Sequence, residues 1–425
     1  MVIYKSVPVY FFSLFHFILP NIMANNGTHT ASNDALLKKF DLSATRGFLP
    51  EHDPLEALPQ AEFAAWERAA QTLPKLLASD SLRRHIENLP EFNTALLTNK
   101  RELERAMVIL SYLGHSYVFF GGDSRDAGTA QTLPARIAKP WHEVAKRLGR
   151  PPVLSYGSYA LHNWRRFDTT RTPELGNIAL LQNFFGGIDE EWFILIHIDI
   201  EYKAARAMNA LFPAQEAAKQ DNADELLMQL NTIADVLRQM NATMNRMPEW
   251  CDPYIYYARV RPYIHGWKNN PALPNGLVYE GVEEYGGKGQ MFRGETGAQS
   301  SIVPALDGAF GVTHKHDIMR DYLMEMRTYM PPEHRAFIEE VEKTPIIREC
   351  VMKHAAAKPS LKEVYNVCVE EVEKFRSKHL EYAAKYIQQQ SQKNSANPTE
   401  IGTGGTPFMP YLKKHRDETK EHAIA

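Results

Sequence analysis

The stretch FILIHIDIEYKAARAMNAL, Phe193–Leu211, decides the fold class. Its first six residues, Phe193–Ile198, could form a buried strand, because a short unbroken apolar run does not separate strand from helix. Carried on to Leu211, the pattern becomes one-sided: Phe193, Ile196, His197, Ile200, Ala204, Ala207, Met208 and Leu211 recur in steps of three and four. A run of that length exceeds an ordinary strand, so it is a helix. Asp221–Met244 repeats the spacing through Leu226, Leu230, Ile233, Leu237, Met240 and Met244, with Asp221 or Asn222 as N-cap. It carries no obvious chemistry and reads as scaffold. A third helix is expected from Ser360 to about Gln389, with Ser360 capping and Glu363 in capping-box register. Its apolar face is Leu361, Val364, Cys368, Val372, Phe375, His379, Tyr382 or Ala383, and Tyr386.

Upstream, from Asp34 to about Phe167, helical spacing alternates with prolines such as Pro50, Pro74, Pro90, Pro134 and the pair Pro151-Pro152. That predicts short helices, among them Arg101–Tyr117 and Trp141–Leu148. Strand signals are sparse. The expected class is therefore all-α, with a small N-terminal helical domain over residues 25–183, including a crossing at Asp168–Asn183, and a large C-terminal helical domain over 184–425. Within the latter, residues 388–406 (QQQSQKNSANPTEIGTGGT) are too polar to pack and are expected to be a mobile loop. Residues 1–24 stand apart: Lys5 precedes an apolar run from Val7 to Leu19 that Pro8, Ser13 and His16 interrupt. The run is too short to span a membrane, and two readings stay open. It is either a weak signal or anchor pattern, or an upstream extension with Met23 as the initiator.

Composition narrows the function. Among 425 residues, 48 Lys and Arg stand against 51 Asp and Glu, a net charge of −3, which leaves no basic stripe for nucleic-acid phosphates. Cys251, Cys350 and Cys368 are odd in number and lack CxxC spacing, so they build neither a disulfide framework nor a zinc site, and a reducing, cytoplasmic setting is expected. The sixteen histidines show no HExxH spacing, so which of them does chemistry must come from context.

His379 stands on the apolar face of the third helix, one turn from Phe375 and from Tyr382 and Ala383. A buried imidazole with an unmet nitrogen costs about 1–3 kcal/mol. Two arrangements meet the need: a core histidine bonded to a backbone carbonyl, or an axial ligand of haem iron in an apolar wall. Arg376, three residues earlier, suits either solvent or a haem propionate. His197, one turn from Phe193, suits either the core or a pocket. YIYYARVRPYIHGW, Tyr254–Trp267, carries Arg259 and Arg261 among aromatic rings. Such a set can hold a small, flat, anionic ligand, and it fits equally an amphipathic helix turning at Gly266. GETGAQSS, Gly294–Ser301, either lets backbone approach a ligand or caps a helix. GTGGT, Gly402–Thr406, lacks the Lys-Ser/Thr of a phosphate loop and follows no strand, which leaves a hinge or lid.

Together these segments resemble the indoleamine 2,3-dioxygenase family. The residues that carry the resemblance are RPYIHGWKNNPALPNGLVYEGV (Arg261–Val282), FRGETGAQSS (Phe292–Ser301), DYLMEMRTYMPPEHRAFI (Asp321–Ile338), FRSKHL (Phe375–Leu380) and GTGGT, in the family's order. The resemblance implies an all-helical haem enzyme that inserts both atoms of O2 across the indole C2–C3 bond of L-tryptophan. The product would be N-formylkynurenine, the first step of the kynurenine pathway towards NAD. It also implies one haem b per chain, tolerance of other indoleamines, an external reductant, no stable membrane span and a monomeric state. By position, His379 matches the proximal iron ligand, Arg376 an arginine near a haem propionate, and Asp307 the aspartate that holds it. Arg261 matches the arginine that binds the substrate carboxylate. Tyr256 and Tyr257 match distal-pocket aromatics, often Phe in relatives, while Tyr156 and Phe193 match residues around the indole. Thr296, Gly297 and Ala298 match a small-residue wall over the haem, and Thr403 the loop that closes on substrate. His197 falls where some relatives have Ser and others His; it is expected to tune the pocket, donating a hydrogen bond to O2 or acting near the indole N–H. The alternative, suggested by His197 and the tyrosine pair, is a haem-binding sensor of the same fold with little turnover.

Overall fold

The computed structural model describes residues 27–119, 128–312, 318–392, 403 and 409–425. The leader or extension at 1–24 and the loop at 393–402 and 404–406 lie outside them. The described residues are all-α apart from two short ladders, in which Thr132–Leu133 pairs in parallel with Val278–Tyr279 and Trp164–Arg166 pairs antiparallel with Ile178–Leu180.

Seven of the helices form the frame of the molecule: α1 Lys100–Phe119, α2 Ala135–Arg147, α3 Ile188–Lys219, α4 Ala223–Asn245, α5 Ile302–Phe310, α6 Pro359–Ala383 and α7 Met409–Lys420. The decisive stretch lies inside α3, which extends beyond it at both ends and contains Pro213. Asp189, Glu190 and Glu191 in its first turn and Lys219 in its last suit the positive and negative ends of the helix dipole. Asn222 caps α4, its side chain accepting from the Glu225 amide at 3.1 Å. Asp221 is instead the left-handed turn residue between the two helices, with φ 58°.

The start of α6 differs from the expected capping box. Lys358 is the N-cap and Pro359 the first helical residue, so Ser360 lies inside the first turn. Proline fixes φ and lacks an N–H, which makes it a better first helical residue than a cap and moves the start by two positions. At its other end α6 runs into a π-helical turn, Ala384–Gln388, followed by Gln389–Ser391. The first residues of the expected loop are thus helical.

Two hydrophobic cores result. One gathers Trp66, α1, α2 and Trp164, together with Tyr263, Trp267, Tyr279 and Tyr329 from far along the chain. The other is built by α3, α4, α5 and α6 and also takes in Phe40 and Phe48. Phe193 packs against both, so it marks the seam between them.

Within the second core α4 packs on both α3 and α6. Thr243 of α4 donates to Asp199 of α3 at 2.7 Å, and Asp199 also accepts the Leu175 amide at 2.9 Å. On the other flank Asn241 donates to the carboxylate and backbone carbonyl of Glu371, and the Tyr382 hydroxyl to the Met244 carbonyl at 3.0 Å. After α6, α7 lies against it; His422 bonds the Phe310 carbonyl at 2.7 Å, and Asn366 exchanges two hydrogen bonds with the backbone of Ile424. Among the described residues no helix is long and apolar enough to cross a membrane. Asp199→Ala should strand the Thr243 hydroxyl and the Leu175 amide, each at about 1–3 kcal/mol. Urea unfolding should therefore show a loss of about 2 kcal/mol or more, and an unchanged midpoint would remove Asp199 as the link between α3 and α4.

Candidate cofactor and substrate site

Helix α6 carries Arg376 and His379 less than a turn apart, and the two side chains differ in how they are satisfied. The His379 ring lies deep among protein atoms, yet it is exposed, which is the property of a group lining interior space. Desolvation pushes its pKa down to about 4, with the charge of nearby His197 as the second cause, so it is neutral at pH 7. Among the described residues no protein group hydrogen-bonds to it. His115 gives the contrast: its Nδ1 donates to the Tyr263 carbonyl at 2.7 Å and its Nε2 accepts the Leu154 amide at 2.9 Å. That is a satisfied core histidine, and His379 is not one. A neutral imidazole in a wall, both nitrogens uncommitted, is what an iron ligand requires.

Arg376 holds Asp307 of α5 through Nη1 at 3.1 Å and Nη2 at 2.6 Å, and Nη1 also reaches the hydroxyl of Thr419 on α7. These contacts occupy the outer end of the guanidinium. Its Nε–H and the adjacent Nη2–H remain, a side-by-side pair of the geometry a second carboxylate accepts. The residues therefore fit haem: an uncommitted neutral histidine, and close to it a buried arginine with one fork left.

Opposite, α3 presents Phe193, His197 and Glu201 at successive turns. The Phe193 ring lies 4.5 Å from Tyr256 and 4.7 Å from His197, and His197 is 6.1 Å from Tyr156, edge to face. His197 Nδ1 is 2.7 Å from the Phe193 carbonyl. A carbonyl only accepts, so Nδ1 bears the proton and Nε2 keeps its lone pair. Burial lowers the His197 pKa, which holds it in this neutral tautomer. The expectation that it donates a hydrogen bond to O2 does not suit that state; it can only accept. Glu201 takes the Ser300 hydroxyl at 2.7 Å, and burial raises its pKa to about 7. The Tyr156 phenol lies close enough to interact with the same carboxyl, although Glu201 Oε2 has no partner of good hydrogen-bond geometry.

A third wall comes from two loops. Arg261 begins a tight turn after the π-helical residues Tyr256–Val260; it is fully buried, with its guanidinium 5.7 Å from the centre of the Tyr257 ring. Tyr257 itself is fully buried, so it supports Arg261 as an aromatic floor, whereas Tyr256 stands beside Phe193. Gly266 and Gly294 let this turn and the GETGAQSS segment touch backbone to backbone. A Cβ on Gly294 would lie 2.2 Å from the Ile264 carbonyl, and one on Gly266 would lie 2.1 Å from the Gly294 nitrogen. Thr296 caps the short turn Gly297–Gln299, and Gly297 is exposed with no atom within 4 Å of a built Cβ, so this wall is low and open. Thr403 is seated on it: its carbonyl accepts the Gly266 amide at 3.3 Å and its hydroxyl donates to the Glu295 carbonyl at 2.5 Å.

The predicted residues thus converge, His379 with Arg376 and Asp307 on one side, Phe193, His197, Tyr156 and Tyr256 on another, and Arg261, Thr296, Gly297 and Thr403 on the loop wall. Glu201, Ser300 and Glu295 join them without having been expected there. Glu201 follows Phe193 and His197 by the same four-residue step, a signal legible in the sequence; Glu295 is inside the GETGAQSS stretch, whose small residues dominate its pattern.

One uncommitted histidine, one arginine fork and one aromatic-backed arginine, gathered from helices and loops of an all-α chain, are groups that could hold a cofactor and a small ligand. Residues 36–422 match the indoleamine 2,3-dioxygenase family, and the chain belongs to it. It is 33% identical over 399 residues to human indoleamine 2,3-dioxygenase 2, covering 91% of this chain and 95% of that one. It is 34% identical to rat indoleamine 2,3-dioxygenase 1 over 403 residues, covering 92% and 96%, and 33% identical to the indoleamine 2,3-dioxygenase of Saccharomyces cerevisiae over 430, covering 90% and 93%.

Because Asp307 and Arg376 are both buried, Asp307→Ala leaves a buried guanidinium without its counter-charge, which costs about 3–5 kcal/mol. Thermal or urea unfolding should register that loss, and stability within experimental error of the parent would mean that the pair is solvated in solution.

Proposed function

We propose that this chain is a haem-dependent dioxygenase that inserts both atoms of O2 across the indole C2–C3 bond of L-tryptophan, giving N-formylkynurenine on the route towards NAD. The observation that carries the reading is His379, neutral, uncommitted and within electrostatic reach of His197. Haem b supplies an iron centre that activates dioxygen, and an external reductant keeps that centre ferrous. His379 would hold the iron, and Arg376, braced by Asp307 and Thr419, would take a propionate through its remaining fork.

The protein's own work is positioning. Arg261 binds the α-carboxylate of tryptophan; buried on Tyr257, it meets little competition from water. Phe193, Tyr156 and Tyr256 clasp the indole. His197 Nε2 accepts the indole N–H, which fixes the ring's rotation and presents the C2–C3 edge to the reacting centre. Holding reacting atoms at about 3–3.5 Å can lower a barrier by several kcal/mol, so no strong base is required. Thr403, seated on the Glu295 and Gly266 backbone, excludes water behind the ligand. The small helical part, residues 25–183, contributes Tyr156, and the large part, 184–425, contributes the rest. The three cysteines are free and buried, which supports a reducing, cytoplasmic setting, and the enzyme is read as a monomer. A non-catalytic haem sensor would have no use for a buried carboxylate-binding arginine, and the polar tyrosine pair is accounted for by Arg261 and the indole.

His379→Ala should abolish both the haem absorbance band and N-formylkynurenine formation in a reductant-supported assay; retention of either sinks the ligand assignment. His197→Ala should lower kcat/KM for tryptophan about 5- to 30-fold, the weight of one buried hydrogen bond, while leaving tryptophan methylated on the indole nitrogen unaffected. Equal losses for the two substrates would show that His197 acts on something other than the N–H.

A further inference from the structure

The turn between α3 and α4 meets the helix that precedes α6 at a point that takes no part in the pocket. Among the described residues it is the one place where three side chains with metal-ligating atoms come together: one ligand atom each from Asp221, Cys350 and His354 lies within 4.8 Å of the other two. Two of the three share a helix, Ile347–His354, where a four-residue step puts Cys350 and His354 on one face. The third comes from far earlier in the chain. Asp221 is held in the left-handed conformation at φ 58°, its amide donating to the Ala218 carbonyl at 3.2 Å and the next amide, that of Asn222, to Ala217 at 2.8 Å. Its carboxylate is thus presented by fixed backbone. Lys358, the N-cap of α6, donates its amide to the His354 carbonyl at 2.8 Å, which ties the cluster directly to the start of that helix.

An ordinary surface ion group accounts for part of this arrangement. Lys353 reaches Asp221 Oδ2 at 2.6 Å, and His354 Nε2 reaches Oδ1 at 2.8 Å. It does not account for Cys350, whose thiol is buried and makes no hydrogen bond among the described residues, whereas that of Cys368 donates to the Leu230 carbonyl at 3.4 Å. Burial raises the Cys350 pKa, so the group stays a thiol until its proton is displaced. One sulfur, one imidazole nitrogen and one carboxylate oxygen make a borderline-soft donor set, which suits zinc and not magnesium or calcium, ions that take oxygen. Around tetrahedral zinc the donors stand about 3.5 Å apart, and side-chain rotation reaches that spacing from under 4.8 Å. The cluster also has a mouth. Cys350 is 6% exposed, while the His354 and Asp221 side chains are 23% and 48% exposed, so an ion enters from solvent and meets sulfur at the inner end. The cysteine spacing that excludes a cysteine-rich zinc site leaves this one open, because it needs a single sulfur.

We propose that Asp221, Cys350 and His354 form a zinc site that clamps the α3–α4 turn to the helix leading into α6. The fourth position is open to water. On binding, the Cys350 thiol loses its proton to solvent and its sulfur bonds the ion. The Nε2 proton of His354 passes to Nδ1 through solvent, which frees the Nε2 lone pair. Asp221 Oδ1 exchanges its hydrogen bond for the metal while Lys353 stays on Oδ2. The two negative charges of thiolate and carboxylate then meet the two positive charges of the ion. The site stands apart from the aromatic pocket and does not depend on what that pocket binds.

Holoenzyme treated with EDTA and then dialysed against zinc chloride should take up one zinc per chain, counted by elemental analysis, and should melt a few degrees higher with the metal than without it. Cys350→Ser, His354→Ala and Asp221→Asn should each weaken zinc binding at least about tenfold and remove the melting shift. Serine is close to cysteine in size and asparagine tolerates positive φ, so both variants should keep the fold, which an unchanged haem band checks. Lys353→Ala removes the ion pair but no ligand, and it should bind zinc as well as the parent or more tightly. Zinc should also slow the alkylation of Cys350 by iodoacetamide, read by peptide mass, without altering that of Cys251 or Cys368; if a ligand variant loses haem, this measurement on the parent decides. Absence of stoichiometric zinc in the parent, uptake undiminished in Cys350→Ser, alkylation of Cys350 unaffected by zinc, or a loss in Lys353→Ala as large as in the ligand variants overturns the proposal.

Discussion

The site depends on one helix that contributes nothing to its chemistry. α4 carries no pocket residue, yet it packs on α3 and α6 and is tied to both by buried polar bonds, Thr243 to Asp199 on one flank, Asn241 to Glu371 and Tyr382 to Met244 on the other. His197 stands two residues from the first tie and His379 three residues from the last. The placing of α3, which carries His197, relative to α6, which carries His379, is therefore set through a third helix that packs on both. Polar ties of this kind fix register as well as distance, because each has a single partner, whereas apolar packing tolerates sliding.

Much of this was legible in the sequence. The three- and four-residue spacing across Phe193–Leu211 gave helix rather than strand, and the same spacing placed His379 and His197 on apolar faces. What the pattern could not do was distinguish a core histidine from a ligand, since both sit on apolar faces. His115 and His379 look alike as letters in a helix; they differ in whether a carbonyl and an amide from distant segments, Tyr263 and Leu154, arrive to satisfy the ring. That is long-range information, and only the resemblance or the folded chain supplies it.

Local irregularity was equally hidden. Among the described residues three π-helical turns occur, Gly157–Leu161, Tyr256–Val260 and Ala384–Gln388, and each adjoins the pocket: Tyr156 precedes the first, Tyr256 opens the second, and Tyr386, 5.8 Å from Tyr256, lies in the third. A π turn inserts one residue into a helix and rotates everything beyond it, which aims side chains where a regular helix would not. Helical periodicity assumes regular turns, so it reveals none of the three, although it does put Tyr386, which is buried, on the apolar face of its helix. The capping-box reading of Ser360 failed for a related reason, since a proline one residue earlier outranks a serine in setting where a helix begins.

The contact of Thr419 with Arg376 has a consequence for how the protein comes into being. Chains emerge from the ribosome N-terminus first, at about 5–20 residues per second, and fold as their segments become available. The aromatic side of the pocket, from Tyr156 to Tyr256, is translated early, but the brace on Arg376 waits for residue 419, and the bonds of α6 and α5 to His422 and Ile424 wait a little longer. A nascent chain therefore carries Tyr156, Phe193 and Tyr256 before it has the brace on Arg376. A chain that stops short of that helix holds Arg376 through Asp307 alone, without the Thr419 hydroxyl.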